Sequence, residues 1–87
     1  MRTLEELMAR QWLVASFDGH AIFWNHANTF NLYAIALNGD ATSLDCRTIY
    51  HPDGMEEAAK IRWAITTGRE LASEYRKDNN EKTVTGV

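Results

Sequence analysis

The sequence predicts one α+β domain: a short N-terminal helix, an antiparallel sheet of three to four strands built from two hairpins, and a long C-terminal helix packed on one face. Three observations predict it. Asp18-Gly19 and Asn38-Gly39 are both hairpin-turn pairs, and each lies between apolar, β-branched and aromatic runs. A stripe of apolar residues with spacings of three and four runs through the last third of the chain. The 87 residues suffice for a single domain, expected over 1–77 with a flexible tail over 78–87.

Thr3-Leu4-Glu5-Glu6 is a capping box, with the Thr3 hydroxyl placed to accept from the backbone N–H of Glu6. Leu4, Leu7 and Met8 follow at helical spacing, so the first helix is expected over 4–10. Trp12 to Phe17 reads as a strand, Asp18-Gly19 as a two-residue turn, and His20 to Trp24 as the returning strand. Asn25 to Asn28 is polar and loop-like.

Thr29 to Leu37 is the clearest strand, with Phe30, Leu32, Ala34 and Ala36 on one face and Tyr33, Ile35 and Leu37 on the other. Apolar residues on both faces predict a central strand covered on both sides. The second cover is the first helix, a second copy of the chain or a partner. Asn38-Gly39 is read as another two-residue turn, after which Ala41 to Tyr50 returns. Leu44, Cys46 and Tyr50 are expected on one face of that strand, with Ser43, Asp45 and Arg47 on the other.

His51-Pro52-Asp53-Gly54 ends the strand, and Asp53 with Glu56 forms a second capping box. The long helix is expected from about Gly54 to about Lys77. Its core stripe is Ala58, Ile61, Ile65, Gly68, Ala72 and Tyr75, widened by Ala64 and Leu71. A glycine inside a helix costs about 1 kcal/mol against alanine. Gly68 is therefore read as the point where helix and sheet approach closely.

Nine Lys and Arg against twelve Asp and Glu leave a net charge of −3, which disfavours a protein that binds by neutralising phosphates. Cys46 is the one cysteine, so no intrachain disulfide can form. The N-terminus lacks the apolar core of a signal peptide, and no apolar run approaches a membrane span. A cytoplasmic protein is expected.

His20, His26, Cys46 and His51 are candidate metal ligands by type. No Cys-x-x-Cys knuckle joins them, and Cys46 in phase with Leu44 and Tyr50 reads as a buried core thiol, so no metal is expected. Pairing Cys46 with a histidine would give a nucleophile, but no glycine elbow or oxyanion-hole signature accompanies it. Asp18, Asp40, Asp45 and Asp53 stand at turns and caps, where short carboxylates serve the backbone. Gly19, Gly39 and Gly54 belong to separate turns and form no phosphate loop. No cofactor and no catalytic residue is assigned. The mixed charges of the long helix read as a solvated face with local ion pairs.

Trp63 stands out, because helical spacing puts it roughly opposite the apolar stripe. It is either a partner-binding anchor, since tryptophan is enriched at interaction hot spots, or a side chain covered by the first helix or the tail. The candidate docking residues are Trp63 with Met55, Arg62, Thr66 and Glu70, and the hairpin tips at Asp18 and Asp40.

The order helix, three or four strands, helix resembles the double-stranded-RNA-binding domain, and Glu57-Ala58-Ala59-Lys60 resembles the start of that family's second helix, with Glu56 and Glu57 near the place of its lysine cluster. The layout is also similar to the arm-type DNA-binding domains of phage integrases. Thr48-Ile49-Tyr50-His51-Pro52-Asp53 and the helix carrying Trp63 look similar to part of the podophage inhibitors of the host dGTPase. In general character the chain resembles anti-CRISPR and other phage host-takeover proteins: short, acidic single domains that occupy a surface on a larger enzyme.

The leading expectation is thus a non-catalytic inhibitor or modulator of a larger host or defence enzyme, phage-encoded and acting in the host cytoplasm. A homodimer through the sheet is a further possibility. The alternative is a nucleic-acid-binding domain with a basic face at Arg47, Lys60 and Arg62.

Overall fold

The computed structural model describes residues 2–25 and 28–85, with side chains described as far as Asp78. Thr3 Oγ1 accepts from the Glu6 N–H at 3.2 Å, and this cap starts α1 (Leu4–Arg10) where the capping box puts it. The residues just before the cap do more than precede a helix. They form a short strand, β1 (Arg2–Thr3), in which Arg2 pairs with Ala41 and Thr3 with Asp40. The Leu4 N–H donates to the Gly39 carbonyl at 2.8 Å and fixes the helix start to the opposite hairpin.

The next two strands are those expected, β2 (Trp12–Phe17) and β3 (His20–Trp24). Asp18 (φ 43°) and Gly19 (φ 74°) both adopt the left-handed conformation of a two-residue turn. The last two strands are β4 (Thr29–Ile35) and β5 (Asp40–Thr48). All pairings are antiparallel and the order is β1-β5-β4-β3-β2, giving five strands where three to four were expected.

The second hairpin differs from the two-residue reading. The Gly39 N–H bonds the Ala36 carbonyl, and the Ala36 N–H bonds the Asp40 carbonyl. Leu37, Asn38 and Gly39 therefore form a three-residue loop, and Gly39 takes the positive φ of 93° that closes it. Asn38 stabilises it by accepting from the Asp40 N–H at 3.1 Å. Leu37, expected beside Tyr33 and Ile35, is instead fully exposed at the tip.

A bulge in β5 at Leu44 corrects a second expectation. Leu32 pairs with Asp45 and Tyr33 with Ser43, so one extra residue shifts the alternation. Asp45 and Arg47 now lie across from Leu32 and Phe30, and Cys46 lies across from Asn31. Cys46 is exposed and is not the buried thiol expected from its phase with Leu44.

The long helix, α2, runs over Glu57–Thr85. It begins later than Gly54, because Asp53-Gly54 is a turn with Gly54 at φ 79°. Its backbone continues beyond Lys77 through eight residues of the expected tail, and residues 86–87 lie outside the described residues. At 1.5 Å per residue the helix is about 44 Å long, close to the 48 Å long axis of the molecule. No described helix is long and apolar enough to cross a membrane.

Two clusters hold the sheet between the helices. Val14, Phe17, Ile22, Trp24, Phe30 and Leu32 meet Ala64, Leu71 and Ala72 of α2. On the other face Ala21, Phe23, Tyr33 and Ala41 meet Leu7, with Leu4 and Ile35 at the margin. The second face is thus covered by α1, one of the three covers left open by the sequence. All of Ala21 to Trp24 is buried, so the most enclosed strand is β3 rather than β4. Most of β5 is solvent-exposed. Ala58, expected in the core stripe of α2, is exposed at its first turn.

Candidate functional site

Trp63 is half-buried and belongs to the sheet-facing core. Its indole makes edge contacts with Phe30 at 5.7 Å and with Trp24 at 6.5 Å between ring centroids. His51 packs on it from outside at 5.9 Å. Trp12 extends the group by packing on Trp24 at 5.1 Å. Trp63 lies at the flank of the buried row Ala64, Gly68 and Leu71, and a side chain that long bends back onto the sheet. This corrects its placement on the outer side of α2, and the cover is the sheet itself rather than α1 or the tail. Neighbouring aromatics of this kind contribute about 0.5–1.5 kcal/mol per pair beyond area burial.

A polar network joins bare β5 to α2. The Tyr75 hydroxyl donates to Asp45, which also accepts from the Cys46 N–H at 2.8 Å. Arg47 reaches Glu74 at 3.0 Å and Asp45 at 3.5 Å, with its guanidinium 5.1 Å above the Tyr75 ring. The bond from Tyr75, then that from Cys46, holds the Asp45 carboxyl below its ordinary value. Partial burial, then the bond to Asp45, pushes Tyr75 up to about 12. A phenol with that pKa keeps its proton at neutral pH, so Tyr75 acts as a strut between sheet and helix and not as a base.

The third region is the free edge of β2. This strand ends the sheet order and, among the described residues, pairs only with β3. It too carries a bulge, at Val14. Trp12, 37% exposed, and Leu13, 42% exposed, project to the two faces of that edge. Leu13, Val14, Ala15, Ser16 and Phe17 form one wall of an open groove of about 520 Å3. Arg69, Ala72, Ser73 and Arg76 of α2 form the other. Arg76 bonds Asp18 at 3.3 Å across the groove's end.

The candidate docking residues are dispersed among these regions. Arg62, Thr66 and Glu70 are exposed along one outer side of α2, and Met55 is half-buried before its first turn. Asp18 sits at the first hairpin tip against Arg76, which is about 20 Å along the helix axis from Trp63. Asp40 begins β5 beside Thr3 at the other side of the sheet. The helix-borne residues and the two hairpin tips lie on separate parts of the molecule. His20 stacks on Phe17 and donates from Nδ1 to the Asp18 carbonyl, while His51 lies on Trp63. His26 lies outside the described residues. Among the described residues no three His, Cys, Asp or Glu side chains converge as metal ligands.

The groove residues Leu13, Ser16, Arg69 and Arg76 escaped the sequence reading. One signal for them is present, because Arg62, Arg69 and Arg76 are seven residues apart and drift only about 20° per step around a helix. They form a basic row, whereas Glu74 and Asp78 fall on the opposite flank. No family model, no curated protein and no solved structure matches this chain.

Proposed function

We propose that this chain is a non-catalytic protein-binding domain that inhibits or modulates a larger enzyme by covering a functional surface. The observation that carries the reading is the edge position of β2, the last strand of the sheet order, with Leu13 exposed along it. A free strand edge offers a row of donors and acceptors to a second chain, and apolar side chains beside it supply desolvation energy. The class of target, a host or defence enzyme met by a phage protein, comes from the resemblance of the sequence to takeover inhibitors.

The test is co-purification from a bacterial lysate with the tagged chain, its Leu13→Asp variant and an Arg47→Ala control. One stoichiometric protein retained by wild type and control and lost from Leu13→Asp is the expected result. Recovery of no protein, or equal recovery by all three, overturns the reading.

The arginine row Arg62, Arg69 and Arg76 favours a second reading, a nucleic-acid-binding domain. Phosphate contacts make affinity fall steeply with salt, so a gel shift across a salt series separates the two.

A further inference from the structure

We infer that the β2 edge takes an acidic, extended segment of a partner protein as an added strand, with Arg69 and Arg76 receiving its carboxylates; this rests on the protein-binding reading above. The backbone part of the argument follows from the first hairpin. Phe17 and His20 flank a two-residue turn and form its hydrogen-bonded pair. Pairs alternate along an antiparallel ladder, so Ser16 and Ala21 are the next, non-hydrogen-bonded pair. The N–H and C=O of Ser16 therefore point away from β3, toward the open side.

The charge part comes from α2. Its groove-facing residues Arg69, Ser73 and Arg76 include two cations and no acid. The Asp18 carboxylate already on Arg76 shows that a carboxylate fits at the groove's end. Arg69 forms no ion pair among the described residues. An extended segment lying along β2 would pass under both guanidiniums, and each can hold a carboxylate through two parallel bonds.

The same arrangement disfavours a second copy. Two β2 edges paired about a two-fold axis would bring Arg69 and Arg76 of one copy toward those of the other, and like charges repel across such a seam. The Val14 bulge acts in the same direction, because it interrupts the flat edge that unselective pairing needs.

The experiment uses the full chain and two fluorescein-labelled peptides, one alternating glutamate and valine, the other lysine and valine. Anisotropy reads binding, and amide hydrogen exchange reads protection at Ser16. The acidic peptide should bind at least about tenfold tighter than the basic one, the scale set by one charge-assisted hydrogen bond. It should also slow exchange at Ser16. Ser16→Pro removes the outward donor without touching the β3 ladder, and Arg69→Glu reverses one receiving charge. Each should weaken acidic-peptide binding about tenfold or more. Arg69→Glu carries the test alone if Ser16→Pro loses the cooperative melt of the wild type.

Equal binding of the two peptides overturns the inference, as does acidic-peptide binding that Arg69→Glu leaves unchanged. So does tighter binding of a poly-dT oligonucleotide, or Ser16 protection that rises with protein concentration alone. If the peptide arms fail while a lysate partner is still lost from Leu13→Asp, the protein-binding reading stands and only the acidic strand falls.

Discussion

Val14 occupies the space in which Gly68 would carry a side chain: a Cβ on Gly68 would stand 2.4 Å from Val14 Cγ2 and 2.9 Å from Val14 Cβ. The contact joins the bulge of edge strand β2 to the middle of α2. It explains a helix glycine that local propensity disfavours, and it brings the helix close enough for Arg69 and Arg76 to overhang the strand.

Gly68→Ala should therefore destabilise the fold by about 1–3 kcal/mol, because overpacking outweighs the gain of about 1 kcal/mol in helix propensity. Denaturant unfolding reads the change. Adding Val14→Ala to Gly68→Ala should recover part of the loss, and additive losses would show that the two residues are not coupled.

Trp63→Ala should cost about 3 kcal/mol, since it removes edge contacts to Trp24 and Phe30 together with buried area. Arg62→Ala, one residue earlier and exposed, should stay within about 0.5 kcal/mol. Thermal melts of the two variants side by side check the difference, and equal melts would return Trp63 to the outer face.

Tyr75 ties alkaline stability to one side chain. Its pKa is raised in the folded state, so its contribution is fully present below the ordinary value of 10.0 and is lost as pH rises through about 12. Asp45 has the opposite sign. Its lowered pKa adds stability above the ordinary value of 3.8, and that stability is lost as pH falls through the folded value. Tyr75→Phe should cost about 1 kcal/mol at neutral pH and flatten the fall in stability between pH 10.0 and about 12. Urea midpoints measured across pH check both signs.

Thr3→Ala removes the acceptor for the Glu6 N–H and should lower stability by about 1 kcal/mol. Because Thr3 also pairs with Asp40, amide exchange should accelerate in both α1 and the start of β5. Acceleration in α1 alone would mean that the short β1 pairing adds nothing.

Most of the elements were legible because their signals are local. The Thr3 cap, the Asp18-Gly19 turn and the apolar, β-branched and aromatic runs of β2 and β3 depend on residues a few positions apart, and each falls where the sequence puts it. The second hairpin and β5 were misread for want of one such residue each. A three-residue loop and a bulge each insert a single position, and with a side-chain period of two Ser43 ends across from Tyr33 while Asp45 and Arg47 end across from Leu32 and Phe30, on opposite faces of β5 and not on the one face expected. The two-residue strand β1 has no periodicity to read.

The candidate site was less legible, because it is made by strands and a helix that meet only in the folded chain. The sequence by itself determined the α+β class, the close approach at Gly68 and the row of Arg62, Arg69 and Arg76. Only the tertiary structure decided that Trp63 turns inward onto Trp24 and Phe30, that Tyr75 meets Asp45, and that β2 is the open edge beneath Arg69 and Arg76. The physical reason is range. Turns, caps and helical rows are set by backbone dihedrals a few residues apart, whereas strand order and the rotation of a helix over a sheet are set by how large side chains far apart in the chain share one core.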